Sequence, residues 1–199
     1  MKRVILLITI LAAVICPAQQ KPKSAPAKSA PTKPAPDTQT FRDTTYGIRY
    51  KLPAGWVDRT KDIQQGNDSS IAEVFLAIFE RPPEVVGDTV NSAVIIARED
   101  ATTVPGLKAA AQYIDPLNKI LTSQGFKSNG EASTLEINAR ELVRADFVKP
   151  RTEKLNMHQS TLVLLQKGQI VTFTFIAGSE EDVEELIQGL SFVPASRAR

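Results

Sequence analysis

The segments EVFLAIF, Glu73 to Phe79, and AVIIA, Ala93 to Ala97, are apolar at consecutive positions, and this constrains the fold more than any other feature. Successive side chains of an extended strand point to opposite faces, so these segments present apolar surface on both. A sheet containing them must be covered on both sides. Alternation places Val74, Leu76 and Ile78 on one face and Phe75, Ala77 and Phe79 on the other. A helix over Ile71 to Glu80 is the competing reading, but branched and aromatic residues followed by two prolines favour a strand. Pro82, Pro83 and Gly87 punctuate the connection and make the pair a long hairpin.

Other strands follow by pattern. In YGIRYKL, Ile48, Tyr50 and Leu52 alternate with Gly47, Arg49 and Lys51, which reads as a strand with one wet face, near an edge or under a single layer. STLEINARELVRADFV turns Val143, Ala145 and Phe147 inward. In MHQSTLVLLQKGQIVTFTFIAG, Lys167-Gly168 separates two apolar runs and marks a hairpin turn. The last run sets Val171, Phe173 and Phe175 against Ile170, Thr172, Thr174 and Ile176.

Two segments carry helical spacing. Leu107, Ala110, Ala111, Ile114, Leu117 and Leu121 form one stripe, with Thr103 as cap, Pro105 in the first turn and Gly125 at the end. Pro116 predicts a kink or two abutting helices, because it has no N–H to donate. SEEDVEELIQGL predicts a final helix capped by Ser179, with Asp182 at the third helical position and Val183, Leu186, Ile187 and Leu190 buried. Strands, helix, strands, helix, with strands apolar on both faces, predict an α+β fold: an antiparallel β-sheet sandwiched between helices in an α/β/α three-layer sandwich.

The stretch TYGIRYKLPAGW, Thr45 to Trp56, ends its strand in Pro-x-Gly-Trp. Pro53 cannot donate a ladder hydrogen bond, Gly55 permits positive φ, and Trp56 is expected to fold back over the sheet as a core anchor, with a ligand-stacking ring as the alternative. A domain that opens F-R-D-x-x-Y-G-I-R-Y-x-L-P-x-G-W, continues through a long hairpin and a helix, and closes with a Gly-turn hairpin and a helix resembles the PsbP-like superfamily. That superfamily takes in PsbP proteins, Mog-type Ran-binding proteins and bacterial exported proteins. The resemblance spans Phe41 to about Val193 and implies the fold. It carries over no residue role, because fold alone does not fix function.

The chain begins MKRVILLITILAAVICPAQQ: two cations, an apolar run from Val4 to Ile15, then small residues. This is the pattern of a signal peptide, expected over residues 1–18 with cleavage after Ala18. Cys16 is the single cysteine. Lipidation there is the alternative, though Ile15 is a poor residue to precede an acylated cysteine. Residues 19–40 alternate Pro, Ala, Ser and Lys and are expected to form a disordered tether. Residues 41–195 make one domain, and 196–199 a short disordered tail. The net charge of +2 hides an uneven distribution. Setting aside Lys2, Arg3, Lys21, Lys23, Lys28, Lys33 and Asp37 leaves 18 basic against 21 acidic residues from Phe41 onward. No basic stripe marks a nucleic-acid binder.

Candidate chemistry is sparse. His158 is the single histidine, which excludes a two-imidazole metal site, and its place in NMHQST reads as an ordinary surface position or, alternatively, a functional one. No G-x-S-x-G, Walker or G-x-G-x-x-G pattern is present. Glu180, Glu181, Asp182, Glu184 and Glu185 suit a helix N-terminus better than a calcium site. Asp58 and Asp62, interleaved with Arg59 and Lys61, read as a solvated loop rather than an acid–base pair. No catalytic, cofactor or metal residue is therefore assigned, and no cofactor is expected. The chain is expected to be an exported, periplasmic or extracellular, non-catalytic accessory or protein-binding module on a flexible tether. Its partner is expected to be an unknown protein of the cell envelope, with no nucleic acid and no stable membrane span after signal cleavage. The alternatives are an exported hydrolase of unrecognised type, or an envelope stress and maintenance lipoprotein anchored through Cys16.

Overall fold

The computed structural model describes residues 39–66, 72–85 and 87–193. The leader expected at 1–18, tether residues 19–38, Cys16 and the tail at 196–199 lie outside the described residues. Gln39 and Thr40, assigned above to the tether, are already engaged in the fold. The Gln39 carbonyl accepts from the Leu52 N–H at 2.9 Å, and Thr40 opens the first strand.

Two antiparallel sheets organise the domain. The small one has the order β1-β2-β11, from Thr40–Asp43, Ile48–Lys51 and Leu190–Phe192. The large one begins with β3 (Val57–Asp58), β4 (Ala72–Phe79) and β5 (Ala93–Asp100). It continues through β10 (Gln169–Ala177), β9 (Asn156–Gln166) and β8 (Arg140–Pro150). β6 (Lys127–Ser128) and β7 (Ser133–Ile137) share the far edge of β8. Among the described residues there are three α-helices: α1 (Thr60–Gly66), α2 (Ile114–Ser123) and α3 (Glu180–Gln188).

The expectation of a sheet covered on both faces holds. One face packs Ile78, Ile96, Leu162, Val171, Phe173 and Phe175 against Val183, Leu186 and Ile187 of α3. Ile48, Tyr50, Leu190 and Phe192 of the small sheet join the same cluster. The other face packs Val74, Ala77, Phe79, Phe147, Val163 and Ile170 against Tyr113, Leu117, Leu121 and Phe126. One covering layer is thus helical, whereas the other combines a helix with a three-stranded sheet. YGIRYKL is consequently the centre of its own sheet, flanked by β1 and β11, and its wet face is the outer one.

Three local expectations need correction. Strict alternation fails in β4, where the register shifts between Val74 and Leu76. The extra residue, Phe75, sends Val74 to the cluster of Ala77 and Phe79, while Phe75 itself packs beside Tyr46 with ring centroids 5.9 Å apart. The helix expected from Thr103 begins only at Ile114, after 3-10 turns at Ala101–Thr103 and Ala110–Tyr113. Pro116 accordingly sits in the first turn of α2, where a missing N–H costs nothing, and of the two arrangements expected there the chain adopts abutting helices, the 3-10 helix Ala110–Tyr113 running directly into α2. Leu190 leaves the final helix and enters β11, though it is buried as expected.

Other signals hold as read. Ser179 caps α3, its hydroxyl oxygen accepting from the Asp182 N–H at 3.1 Å. Lys167 and Gly168 turn the β9–β10 hairpin with φ of 54° and 72°. A second two-residue turn, Asn138-Ala139, joins β7 to β8 with φ of 50° and 60°.

Candidate functional site: an aromatic and acidic cleft

The Pro-x-Gly-Trp stretch is where the chain changes sheets. β2 belongs to the small sheet and β3 to the large one, so the backbone must leave one ladder and enter another between Lys51 and Val57. Pro53 ends the first ladder for lack of an N–H, and Gly55 takes φ +83°. Val57 then pairs with Phe79. Trp56 stands at the junction, half-buried and packed against the core cluster beneath α3.

Beside this junction lies an open cleft of about 1010 Å³. The end of β2 and the crossing supply Tyr50 to Ala54 and Trp56; the β4–β5 hairpin supplies Glu80, Thr89, Val90 and Ser92; α3 supplies Ser179, Asp182, Glu185 and Leu186. Three elements distant in sequence therefore build one concavity. Its floor is fixed by Tyr50, whose buried hydroxyl donates to the Leu186 carbonyl at 3.0 Å. Burial raises the phenol well above its usual range, so it remains a neutral donor. Gly189 permits this contact: a Cβ there would come within 3.0 Å of the Tyr50 ring.

Polar groups are unevenly placed around that floor. Glu80, Asp182 and Glu185 line the cleft against a single cation, Lys51. The Glu80 carboxylate is oriented by Ser92, accepting from its hydroxyl at 3.0 Å and its N–H at 3.3 Å. Trp56, Pro53, Leu52, Val90, Leu155 and Leu186 supply the apolar lining. An aromatic and proline-bearing wall with a carboxylate rim is suited to an extended, donor-rich segment of another molecule.

The residues weighed from sequence fall in separate places. His158, on β9, points beneath the start of α3 rather than into the cleft, and its side chain is 18% exposed. Its Nδ1 lies 3.7 Å from Glu180 Oε1 and has no hydrogen-bond partner among the described residues. It is thus not the ordinary surface histidine expected. The α3 acids diverge: Asp182 and Glu185 line the cleft, Glu184 meets Arg144 at 2.5 Å, and Glu180 accepts from Asn129 Nδ2 at 2.9 Å. Asp58 caps the start of α1, accepting from the Thr60 N–H at 2.8 Å, and Asp62 pairs with Arg59 at 2.7 Å. Among the described residues no three His, Cys, Asp or Glu side chains form a metal-holding group. Sequence reasoning did not anticipate Glu80, Ser92 or Asp182 as one site, since their separations carry no periodic signal.

No family model matches the sequence, and no curated protein is similar to it. Solved structures are. The chain is similar to cyanobacterial PsbP from Synechocystis sp. PCC 6803, with TM-score 0.50 and 15% identity over 78% of this chain and 92% of that one. The chain has the PsbP-like fold. A Pseudomonas aeruginosa protein of unknown function is similar at TM-score 0.42 and 16% identity, over 79% of this chain and 98% of that one. The Saccharomyces cerevisiae Ran-binding protein Mog1p is similar at TM-score 0.48 and 8% identity, over 79% and 96%. At 15% identity the fold alone is what the chain shares with the Synechocystis protein. No helix among the described residues is long and apolar enough to cross a membrane.

Proposed function

We propose that the chain is an exported, non-catalytic accessory module that binds a protein partner of the cell envelope through the cleft beside Trp56. The observation that carries this reading is the convergence of the sheet crossing, the β4–β5 hairpin and α3 around one open concavity with a half-buried tryptophan in its wall. Tryptophans so placed recur as anchors of protein interfaces. The leader-like start and the Pro, Ala and Lys tract before β1 support export and presentation on a tether.

A photo-crosslinking residue at Gln188, on the cleft wall, tests the proposal in envelope extracts. One stoichiometric adduct, lost on Trp56→Ala while the melting temperature stays high enough for folding, is the expected result. Crosslinks that survive Trp56→Ala would remove the cleft from consideration. Turnover of an ester, peptide or glycoside substrate that disappears with Glu80→Gln or Asp182→Asn would favour the hydrolase alternative. Intact mass separates cleavage after Ala18 from a diacylglycerol on Cys16.

A further inference from the structure

The outer face of the small sheet carries an uncompensated cluster of cations. Arg42 on β1 and Arg49 on β2 are directly opposite one another in the register, and both are exposed. Lys51, two residues further along β2, is exposed as well, at the border between this face and the cleft it also lines. The alternate residues, Phe41, Ile48 and Tyr50, turn the other way into the core. Like charges directly opposite across an antiparallel pair are destabilising. Four other guanidiniums, Arg59, Arg81, Arg98 and Arg144, each have a carboxylate within 4 Å, and Arg140 instead bonds Gln166 and lies over the Phe192 ring. Among the described residues Arg42, Arg49 and Lys51 have no such carboxylate. The nearby acid, Asp43, is engaged in the β1–β2 turn, accepting from the Tyr46 N–H at 2.7 Å.

We propose that this face docks on an anionic phospholipid surface. Two observations select that occupant over an acidic protein. The outward positions, Thr40, Arg42, Arg49, Lys51 and Ser191, are polar or charged; the apolar residue at their border, Val193, is an exposed aliphatic paired with Gly47 and supplies none of the aromatic anchors that dominate specific protein interfaces. A diffuse field of headgroup phosphates requires only charge. Four more lysines, Lys21, Lys23, Lys28 and Lys33, precede β1 within twenty residues of Thr40, against a single acid, Asp37. The cationic face thus continues the basic tract at the point where the chain enters the domain.

Partitioning of the full chain is compared between vesicles of phosphatidylcholine alone and of phosphatidylcholine mixed with phosphatidylglycerol, by co-sedimentation. The ratio of the two partition coefficients isolates charge from any contribution of the apolar run. A basic residue near an anionic surface is worth about fivefold in binding, so Arg42→Gln/Arg49→Gln lowers this ratio roughly 25-fold. The melting temperature of that variant is unchanged or higher, because a repulsion has been removed. Arg42→Lys/Arg49→Lys retains the charge and the preference, and keeps the test valid if the glutamine variant folds poorly. Raising the salt concentration weakens the preference of the natural chain. Equal partitioning into both vesicles overturns the proposal and leaves an acidic protein as the partner of this face. An undiminished preference in the glutamine variant assigns the effect to the lysine tract alone and also overturns it. Displacement by inorganic phosphate at matched ionic strength identifies a discrete phosphate site instead of a surface.

Discussion

Trp56 carries two roles that its neighbours make compatible. One side of the ring packs against the core cluster, and the residue also lines the cleft beside Leu52 and Pro53. Because it is only half-buried, Trp56→Ala should cost about 1–2 kcal/mol, less than the roughly 3–5 kcal/mol of a fully buried aromatic. Chemical denaturation measures this, and a loss near the larger figure would make the residue a core element first. Glu99 poses a different problem. It is 7% exposed and accepts from the hydroxyls of Tyr113 and, at 3.3 Å, Thr103. Burial holds its carboxyl above the ordinary 4.5, and the two hydroxyls pull it back only in part. The folded state therefore binds this proton more tightly than the unfolded chain does. The associated stability is complete below pH 4.5 and is lost as pH rises through the raised folded value. Natural chain minus Glu99→Gln, followed by urea titration at a series of pH values, should fall from acid toward neutral pH. A flat difference would show that the carboxyl titrates normally.

At the scale of elements, backbone conformation at a few ends decides where helices and strands stop. α2 closes with the Gly125 N–H on the Thr122 carbonyl and the Phe126 N–H on the Leu121 carbonyl, both at 3.0 Å, with Gly125 at φ +88°. A Cβ there meets only Lys149 Cε at an ordinary 3.6 Å, so Gly125→Ala is limited to the backbone cost of about 1–2 kcal/mol. Ala139 is the reverse case, a non-glycine residue at φ 60° in the two-residue turn between β7 and β8. Ala139→Gly should raise the melting temperature, by an amount equivalent to about 0.5–1 kcal/mol, as it converts Asn-Ala to the Asn-Gly such turns favour. Paired thermal melts of the two variants should move in opposite directions. Much at this scale was legible: the Lys167-Gly168 turn, the Ser179 cap and the Gly125 stop each follow from local chemistry. The late start of α2 was not, because Leu107, Ala110 and Ala111 satisfy helical spacing while the chain there adopts 3-10 turns.

Over the whole molecule, the described fold starts at Gln39, whose carbonyl is tied to Leu52. A chain beginning at Gln39 should therefore melt at the temperature of the full chain. A drop of several degrees would mean that earlier residues contribute to the fold. The amino-acid sequence by itself determined the two-sided burial of the central strands, the antiparallel order of the hairpins and the caps of the last helix. Each of these is set by side chains a few positions apart, within reach of periodicity and turn chemistry. Tertiary structure alone decided that YGIRYKL leaves the main sheet to pair with β1 and β11, that Phe75 bulges out of β4, and that His158 lies beneath α3. It alone brought Trp56, Glu80 and Asp182 to one cleft and set Arg42 opposite Arg49. The reason is physical: local pattern specifies which face of a segment is buried, but the partner that buries it is fixed only when distant segments compete for the same apolar surface.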